Sequence, residues 1–219
     1  CHACASVGAG WVLEVAVGLV LVGSEGAVRP RCRLIGPCAV LESATVQDGA
    51  GLRWNTVVGP ICKVGGEVGG TVFQAFGNKG HDGYLGDSYV GEWVNLGAGT
   101  NNSNLLNTYG IVRAAPHLQA EREPTGLTFM GCVLGDHVKT AIGTRIMTGT
   151  LVGTGGMCAA SHPPPTETER FVWLTDDGVS RFRWAKFEQV ARTVMQRRGV
   201  VPSVAYVETL RDLHGGDGA

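Results

Sequence analysis

The chain has 219 residues, 44% of them hydrophobic, enough for one domain with a sizeable core plus a tail. Its formal net charge of −1 offers no electrostatic footprint for nucleic acid. No apolar run reaches membrane-spanning length, and Val12 to Val22 is interrupted by Glu14 with no basic region before it, so neither a membrane segment nor a signal peptide is expected and the cytoplasm is the expected compartment.

The chain starts at Cys rather than Met, as a fragment or a processed chain would. Cys1-His2-Ala3-Cys4 has a metal-like look, but no second ligand pair follows, and no metal site is expected. Trp11 is oversized for an inward corner. From Val22 onward a six-residue beat sets in: Val22, Val28, Leu34, Val40, Val46, Leu52, Val58 and Val64. Four residues after each stand Gly26, Cys32, Cys38, Ala44, Ala50, Thr56, Cys62 and Val68, none larger than valine. A period of six fits neither an α-helix nor an alternating strand. It is the hexapeptide signature of a parallel β-helix. The predicted fold class is therefore all-β, a single-stranded parallel β-helix with a short C-terminal helical tail. Each repeat forms one flat side of a three-sided prism, and coils stack about 4.8 Å apart. The large residue fills the axis; the residue four later turns inward near a corner, where little room remains. Gly36-Pro37, Asp48-Gly49 and Gly59-Pro60 read as corners. Cys32, Cys38, Cys62 and Cys132 fall on small inward positions and are expected as buried free thiols in a reducing compartment.

The beat returns in new phases. Tyr84, Val90 and Leu96 form one run, with Ser88, Val94 and Thr100 at the small positions. Leu134, Thr140, Ile146 and Val152 form another, with Val138, Thr144, Thr150 and Gly156 inside. Each phase change is expected to expel a loop, the first between Glu67 and His81, the second over about 101–128. The prism is expected over 1–162, ended by Pro163-Pro164-Pro165, and 163–219 as a Pro-rich linker and helical tail. Phe182 to Arg198 is predicted to be an amphipathic helix with Phe187, Val190, Ala191, Val194 and Met195 on one face. Gln196-Arg197-Arg198-Gly199 is its stop. Its basic end has two readings, contact with a cofactor phosphate or a solvated terminus complementing the helix dipole. A second helix is predicted over Val204 to Leu213, and Gly215 to Ala219 is expected to be disordered.

Polar residues suited to chemistry concentrate in Asn78 to Asn104. His81 follows Gly80, and Tyr84, Asn95 and Asn104 return to nearby faces of the prism. An imidazole, a phenol and two amides suit a substrate with hydroxyls and an amine, and a neutral histidine is the usual general base. Lys139 and Arg145 have two readings, contact with cofactor phosphates or solvated surface cations. His137, at a corner, either lines the same cleft as His81 or caps a turn.

The order His81, Tyr84-Leu85-Gly86-Asp87, Val94-Asn95, Gly97-Ala98-Gly99-Thr100 and Asn104 resembles the β-helix domain of the bifunctional N-acetylglucosamine-1-phosphate uridyltransferase / glucosamine-1-phosphate acetyltransferase family and of related sugar nucleotidyltransferases. The likeness covers about Val22 to Ala160, including the run from Gly131 to Thr140. It implies a left-handed coil, a homotrimer with sites between adjacent prisms, acetyl-CoA as co-substrate, and N-acetylation of an amino-sugar 1-phosphate. By position it implies His81 as general base, Glu67, Tyr84, Asn95 and Asn104 around the sugar phosphate, and Ala98 and Ala160 with backbone against acetyl-CoA. The implied partner is an upstream nucleotidyltransferase domain, whose Gly-rich nucleotide loop this chain lacks. Two departures stand out. The family's lysine two residues after the pocket glutamate is Gly69 here, and its lysine about six residues after the last pocket asparagine is Gly110. Arg53, Lys63, Lys79 and Arg113 are the candidate replacements. The alternative is a non-catalytic trimerising platform for the nucleotidyltransferase domain. A zinc hydro-lyase on the same prism needs three converging histidines, and no His-x4-His pair is present.

Overall fold

The six-residue beat folds as a three-faced prism of short parallel strands. The computed structural model describes residues 6–7, 9–10, 12–14 (backbone only) and 18–215. The Cys1–Cys4 motif, Trp11 and 216–219 lie outside these. Face A stacks Ala27–Val28, Thr45–Val46, Lys63–Val64 and Asn78–Lys79, then Lys139–Thr140, Met157–Cys158 and Val172–Thr175. Single bridges from Asn95 to Asn78 and to Lys139 join the two groups. Face B stacks Val12–Glu14, Arg33–Ile35, Gly51–Leu52, Glu67–Gly69 and Tyr84–Gly86. Face C carries eight strands in order, Val20–Val22, Cys38–Val40, Thr56–Val58, Val72–Phe73, Tyr89–Val90, Cys132–Leu134, Thr150–Val152 and Glu167–Thr168. This is the single-stranded parallel β-helix that the six-residue beat predicts.

The expected inward residues fill it. Leu34, Val40, Val46, Leu52, Val58 and Val64 are fully buried, and Cys32, Cys38 and Cys62 sit with Ala44, Ala50 and Thr56 at the tight positions. Cys132 and Cys158 are buried free thiols as well. Each such aliphatic side chain contributes roughly 1.5–3 kcal/mol by burial.

The first phase change is made by shortening, not by a loop. Val46 aligns with Val64, 18 residues on, but Val64 aligns with Lys79, only 15 on, and Asn78 with Asn95, 17 on. All strands between Glu67 and His81 stay in the prism. Two consequences follow. Lys79 enters the column of a core valine and is 2% exposed. Tyr84 faces outward while Leu85, paired with Val68, fills the axis. The second phase change does expel a loop, but later than expected. Asn101–Asn102 remains in face B, paired with Arg145–Ile146. The excursion over 103–131 carries a small antiparallel ribbon, Arg113–Ala114 with Glu123–Pro124. Above Asn101–Asn102, side-chain amides replace the backbone ladder: Tyr84 N–H donates to Asn101 Oδ1 (2.7 Å) and Gly86 N–H to Asn102 Oδ1 (2.8 Å).

Pro163-Pro164-Pro165 does not end the solenoid. Glu167–Thr168 and Val172–Thr175 still pair in parallel with the coil before, and only then does Gly178–Arg181 turn back antiparallel. Helix α1 (Trp184–Gln196) and helix α2 (Val204–His214) follow. α2 is capped by Ser203 at its start and by Gly215 in the left-handed conformation at its end, so Gly215 is part of the helix stop. Phe187, Ala191 and Met195 of α1 are buried, as the periodicity predicts. Phe187 and Ala191 form a second core against the prism with Phe171, Phe182, Trp184 and Leu210.

The docking edge is the corner between faces C and A. There the left-handed backbone recurs at Ser43, Ile61, Phe76, Trp93, His137 and Phe171, with φ from 53° to 61°. Such backbone costs a bulky residue of order 1–2 kcal/mol. Stacking offsets it: the Phe76 and Trp93 rings lie 3.9 Å apart and parallel, and His137 continues the stack. His137 is buried under the tail. Its Nε2 lies 2.7 Å from Tyr206 Oη, and its ring meets the edge of Phe187. It shares no hollow with His81 and serves the turn and the tail. Among the described residues no helix is long and apolar enough to cross a membrane.

Burial, then the neighbouring Lys139, pulls the His137 imidazole from an ordinary 6.5 down to about 3. The unfolded chain takes up this proton below about 6.5 and the folded one only near 3, so stability falls as pH drops through that window. Thermal unfolding followed by near-ultraviolet circular dichroism at pH 7.5 and 5 is expected to show this loss, and His137→Phe to make it smaller; an equal loss in both proteins would contradict it.

Candidate functional site

His81 sits on the edge between faces A and B, in the turn 80–83 that links Lys79 to Tyr84. Its ring is exposed. The turn is held from inside the prism. Lys79 Nζ donates to three carbonyls, Gly65 O (2.9 Å), His81 O (3.1 Å) and Gly83 O (2.7 Å). Burial pulls this amine down to about 8, with Asp82 opposing the shift. Gly83 has φ +126°, and a Cβ there would lie 2.1 Å from Thr100 O, so only glycine closes the turn. On the outside His81 lines an open hollow of about 730 Å³ with Ala98, Gly99, Ile142 and Gly143. Ile142 is an apolar lip, 81% exposed.

Face B, next to this edge, carries the polar cluster. Arg53 Nη2 pairs with Glu67 Oε1 at 2.6 Å. Both side chains are about half exposed, so the pair contributes little to stability. Asn104 Nδ2 donates to Tyr84 Oη (3.0 Å) and to Asp87 Oδ2 (2.6 Å). Partial burial, then Asp87, pushes the Tyr84 phenol up. A groove of about 640 Å³ runs past Arg53, Glu67, Asp82 and Tyr84. Gly69 explains how a cation remains here. A Cβ on Gly69 would stand 3.1 Å from Arg53 Cβ and 3.3 Å from its Cδ. The Arg53 side chain lies over this bare backbone, one coil away, where the family's lysine would start.

His81, Ala98, Glu67, Tyr84 and Asn104 thus share one edge and its adjoining face. Asn95 and Lys139 do not join them. They are register partners on face A, and Asn95 accepts from Asn78 Nδ2 (2.8 Å) under the end of α1. Ala98 and Ala160 follow the A/B edge two coils apart, about 10 Å. Arg145 is exposed on face B and donates to Ser161 O (3.2 Å). Gly110 lies in the 103–131 excursion, where a Cβ would meet Thr108 Oγ1 at 3.7 Å. Of the candidate replacement cations, Arg53 stands in the groove, Lys79 is inside the prism, Lys63 is on face A, and Arg113 serves the excursion through the Arg122 carbonyl. Among the described residues no three His, Cys, Asp or Glu side chains converge as metal ligands.

The sequence reading missed the inner roles of Lys79 and Asn102 and the outer role of Asp87. The Lys79 signal was available: two glycines flank the His81 turn, and the beat skips three residues before it.

The fold and this edge define a hexapeptide β-helix protein with a polar, histidine-bearing corner. The chain is homologous to bifunctional proteins of the GlmU type. It is 28% identical over 163 residues to a bifunctional sugar-1-phosphate nucleotidylyltransferase/acetyltransferase of Sulfurisphaera tokodaii, covering 65% of this chain and 39% of that protein. It is 40% identical over 87 residues to the bifunctional protein GlmU of Paracoccus denitrificans, covering 39% of this chain and 19% of that one. The chain therefore spans well under half the length of these relatives. No protein-family model matches it. The solved polysialic acid O-acetyltransferase OatWY aligns over 81% of the chain at 9% identity with a TM-score of 0.29, too low to bear on fold or activity.

Replacing Lys79 by Met is expected to take the ammonium from all three carbonyls, leaving Gly83 O with only the Glu67 N–H (3.2 Å), to lower stability by roughly 1–3 kcal/mol, and to speed amide exchange at Gly80 to Tyr84. Unchanged exchange there would show that the amine does not hold the turn.

Proposed function

We propose that the chain is a CoA-dependent N-acetyltransferase acting on an amino-sugar 1-phosphate, the β-helix half of a bifunctional protein. The observation that supports this best is the convergence of His81, Glu67, Tyr84 and Asn104 on one edge, with Arg53 filling the space above Gly69. Glu67, Tyr84 and Asn104 hold the sugar, and Arg53 turns from Glu67 to the phosphate. Acetyl-CoA runs along the edge past Ala98 and Ala160, its apolar arm against Ile142, with Arg145 reaching its phosphates. The neutral sugar amine attacks the thioester carbonyl. The C–N bond forms as the C–S bond breaks, His81 takes the amine proton, and that proton passes to the departing thiolate to give free CoA. Holding amine and thioester in register supplies most of the rate effect, and the base a further 10²–10⁴-fold at about neutral pH.

The homotrimer has a surface to match. The outward positions of face C, in register, are Leu21, Ala39, Val57, Val72, Tyr89, Val133 and Leu151, with Glu167 ending the row. Faces A and B carry Lys63, Lys139, Arg33, Glu67 and Arg145 at the same positions. An apolar ladder on one face only suits burial against a neighbouring prism, and a head-to-tail ring brings face C of one copy to the His81 edge of the next. One observation favours the platform reading instead: Arg53 is already closed on Glu67. Under that reading the trimer forms and no acetyl group is transferred.

Two experiments test these readings. Release of free CoA from acetyl-CoA with glucosamine 1-phosphate is expected to fall at least about 100-fold in His81→Ala, and Arg53→Ala to raise KM for the sugar phosphate about tenfold with kcat little changed; no turnover by the wild-type trimer would leave the platform. Light scattering is expected to give three times the chain mass, and Val72→Lys with Tyr89→Lys to give the monomer; a monomeric wild type would remove the shared site.

A further inference from the structure

A further cavity, of about 440 Å³, lies between face A and the C-terminal end of α1. It shares no lining residue with the His81 hollow. Lys63 and Lys139 reach it from the two ends of the face A row Lys63, Asn78, Asn95, Lys139, three strand spacings or about 14 Å apart, and Arg197 and Arg198 from the end of the helix. Asn78 and Asn95, joined by their amides, lie among them. Among the described residues no carboxylate forms an ion pair with any of these four cations; the ion pairs there involve Arg53, Arg192 and Arg211. Glu92, which like Arg198 acts on the Cys62 thiol, is not in the lining, and burial followed by Asp136 pushes its carboxyl up.

Two of the cations have a structural explanation. Arg197 and Arg198 complement the helix dipole, and Arg198 donates to Ile61 O (3.2 Å). Lys63 and Lys139 have no such explanation. Lys139 is partly buried beneath the tail with only a long contact to His137 O (3.4 Å), and desolvation pulls its amine down to about 8. Four cations around one cavity repel each other, and an anion of two or more charges relieves that repulsion.

We propose that this cavity binds a phosphate ester or diphosphate, its oxygens held by Lys63, Lys139, Arg197 and Arg198 and its polar remainder by the Asn78 and Asn95 amides. The volume suits a ligand of mononucleotide size. Lys139 and Asn95, which lie away from the Tyr84 cluster, find their role here. The phosphate belongs either to the nucleotide end of CoA or to a sugar phosphate, and the chemistry at the cations is the same.

Calorimetric titration of the full chain with inorganic pyrophosphate, CoA and glucosamine 1-phosphate tests this. At least one is expected to bind, more weakly as salt rises, and about tenfold more weakly in Lys63→Gln with Arg197→Gln at unchanged Tm. Both of those side chains are exposed, so the fold is not at risk. Binding of pyrophosphate identifies bare phosphate recognition; binding of only CoA or only the sugar phosphate identifies the source. His81→Ala is expected to bind as the wild type does, which separates this site from acetyl transfer. No binding of any of the three at millimolar concentration, or affinities unchanged in the double variant, overturns the proposal.

Discussion

Each coil of the prism has to set its inward residues directly over those of the coil before, because parallel strands about 4.8 Å apart leave no other room for them. That vertical alignment is the constraint on which the rest of the molecule depends. It is why eight hexads in phase carry a gapless aliphatic core. It is also why the departures from the beat matter: a coil of 15 residues cannot keep its corner spacing, so Lys79 arrives in a valine column. A lysine inside a prism is tolerated only with its ammonium fully bonded, and the three carbonyls of the adjoining turn do that.

The same irregularity builds the site. Shortening the coils at Glu67 to Asn102 draws the edge between faces A and B tight, so the turn with His81 is closed by Gly83 and tied from within by Lys79. Outside, the lateral spacing that aligns Val68 with Leu85 also lays Arg53 over Gly69 and Glu67 beside Tyr84. Rigid inner columns thus fix the outer side chains to which the chemistry is assigned. Where the backbone ladder lapses below Tyr84, Asn101 and Asn102 carry the pairing with their side chains.

A second core grows on the corner between faces C and A. Left-handed backbone repeated coil after coil projects Phe76, Trp93 and His137 in a stack, and the tail helices cover its upper end through Phe187 and Tyr206. The tail is therefore part of the folded body, and its basic end is brought over face A.

The sequence alone determined the prism, its inward aliphatic and cysteine positions, the two helices and their buried face, because those depend on spacing along one chain. His81, Tyr84 and Asn104 are nominated by the motif resemblance; His81 and Tyr84 stand three residues apart in one coil, and Asn104 bonds to Tyr84 from the segment that follows the next coil. What the sequence could not determine was how a phase change is absorbed. Residues can be dropped from a coil or expelled from it with the same effect on the beat, and only cross-coil register tells them apart. That register put Lys79 inside, Tyr84 outside, Asn95 and Lys139 on a different face from the Tyr84 cluster, and a further coil beyond Pro163-Pro164-Pro165. It also brought Arg197 and Arg198 to Lys63 and Lys139, a meeting of residues far apart in the chain that no local pattern encodes.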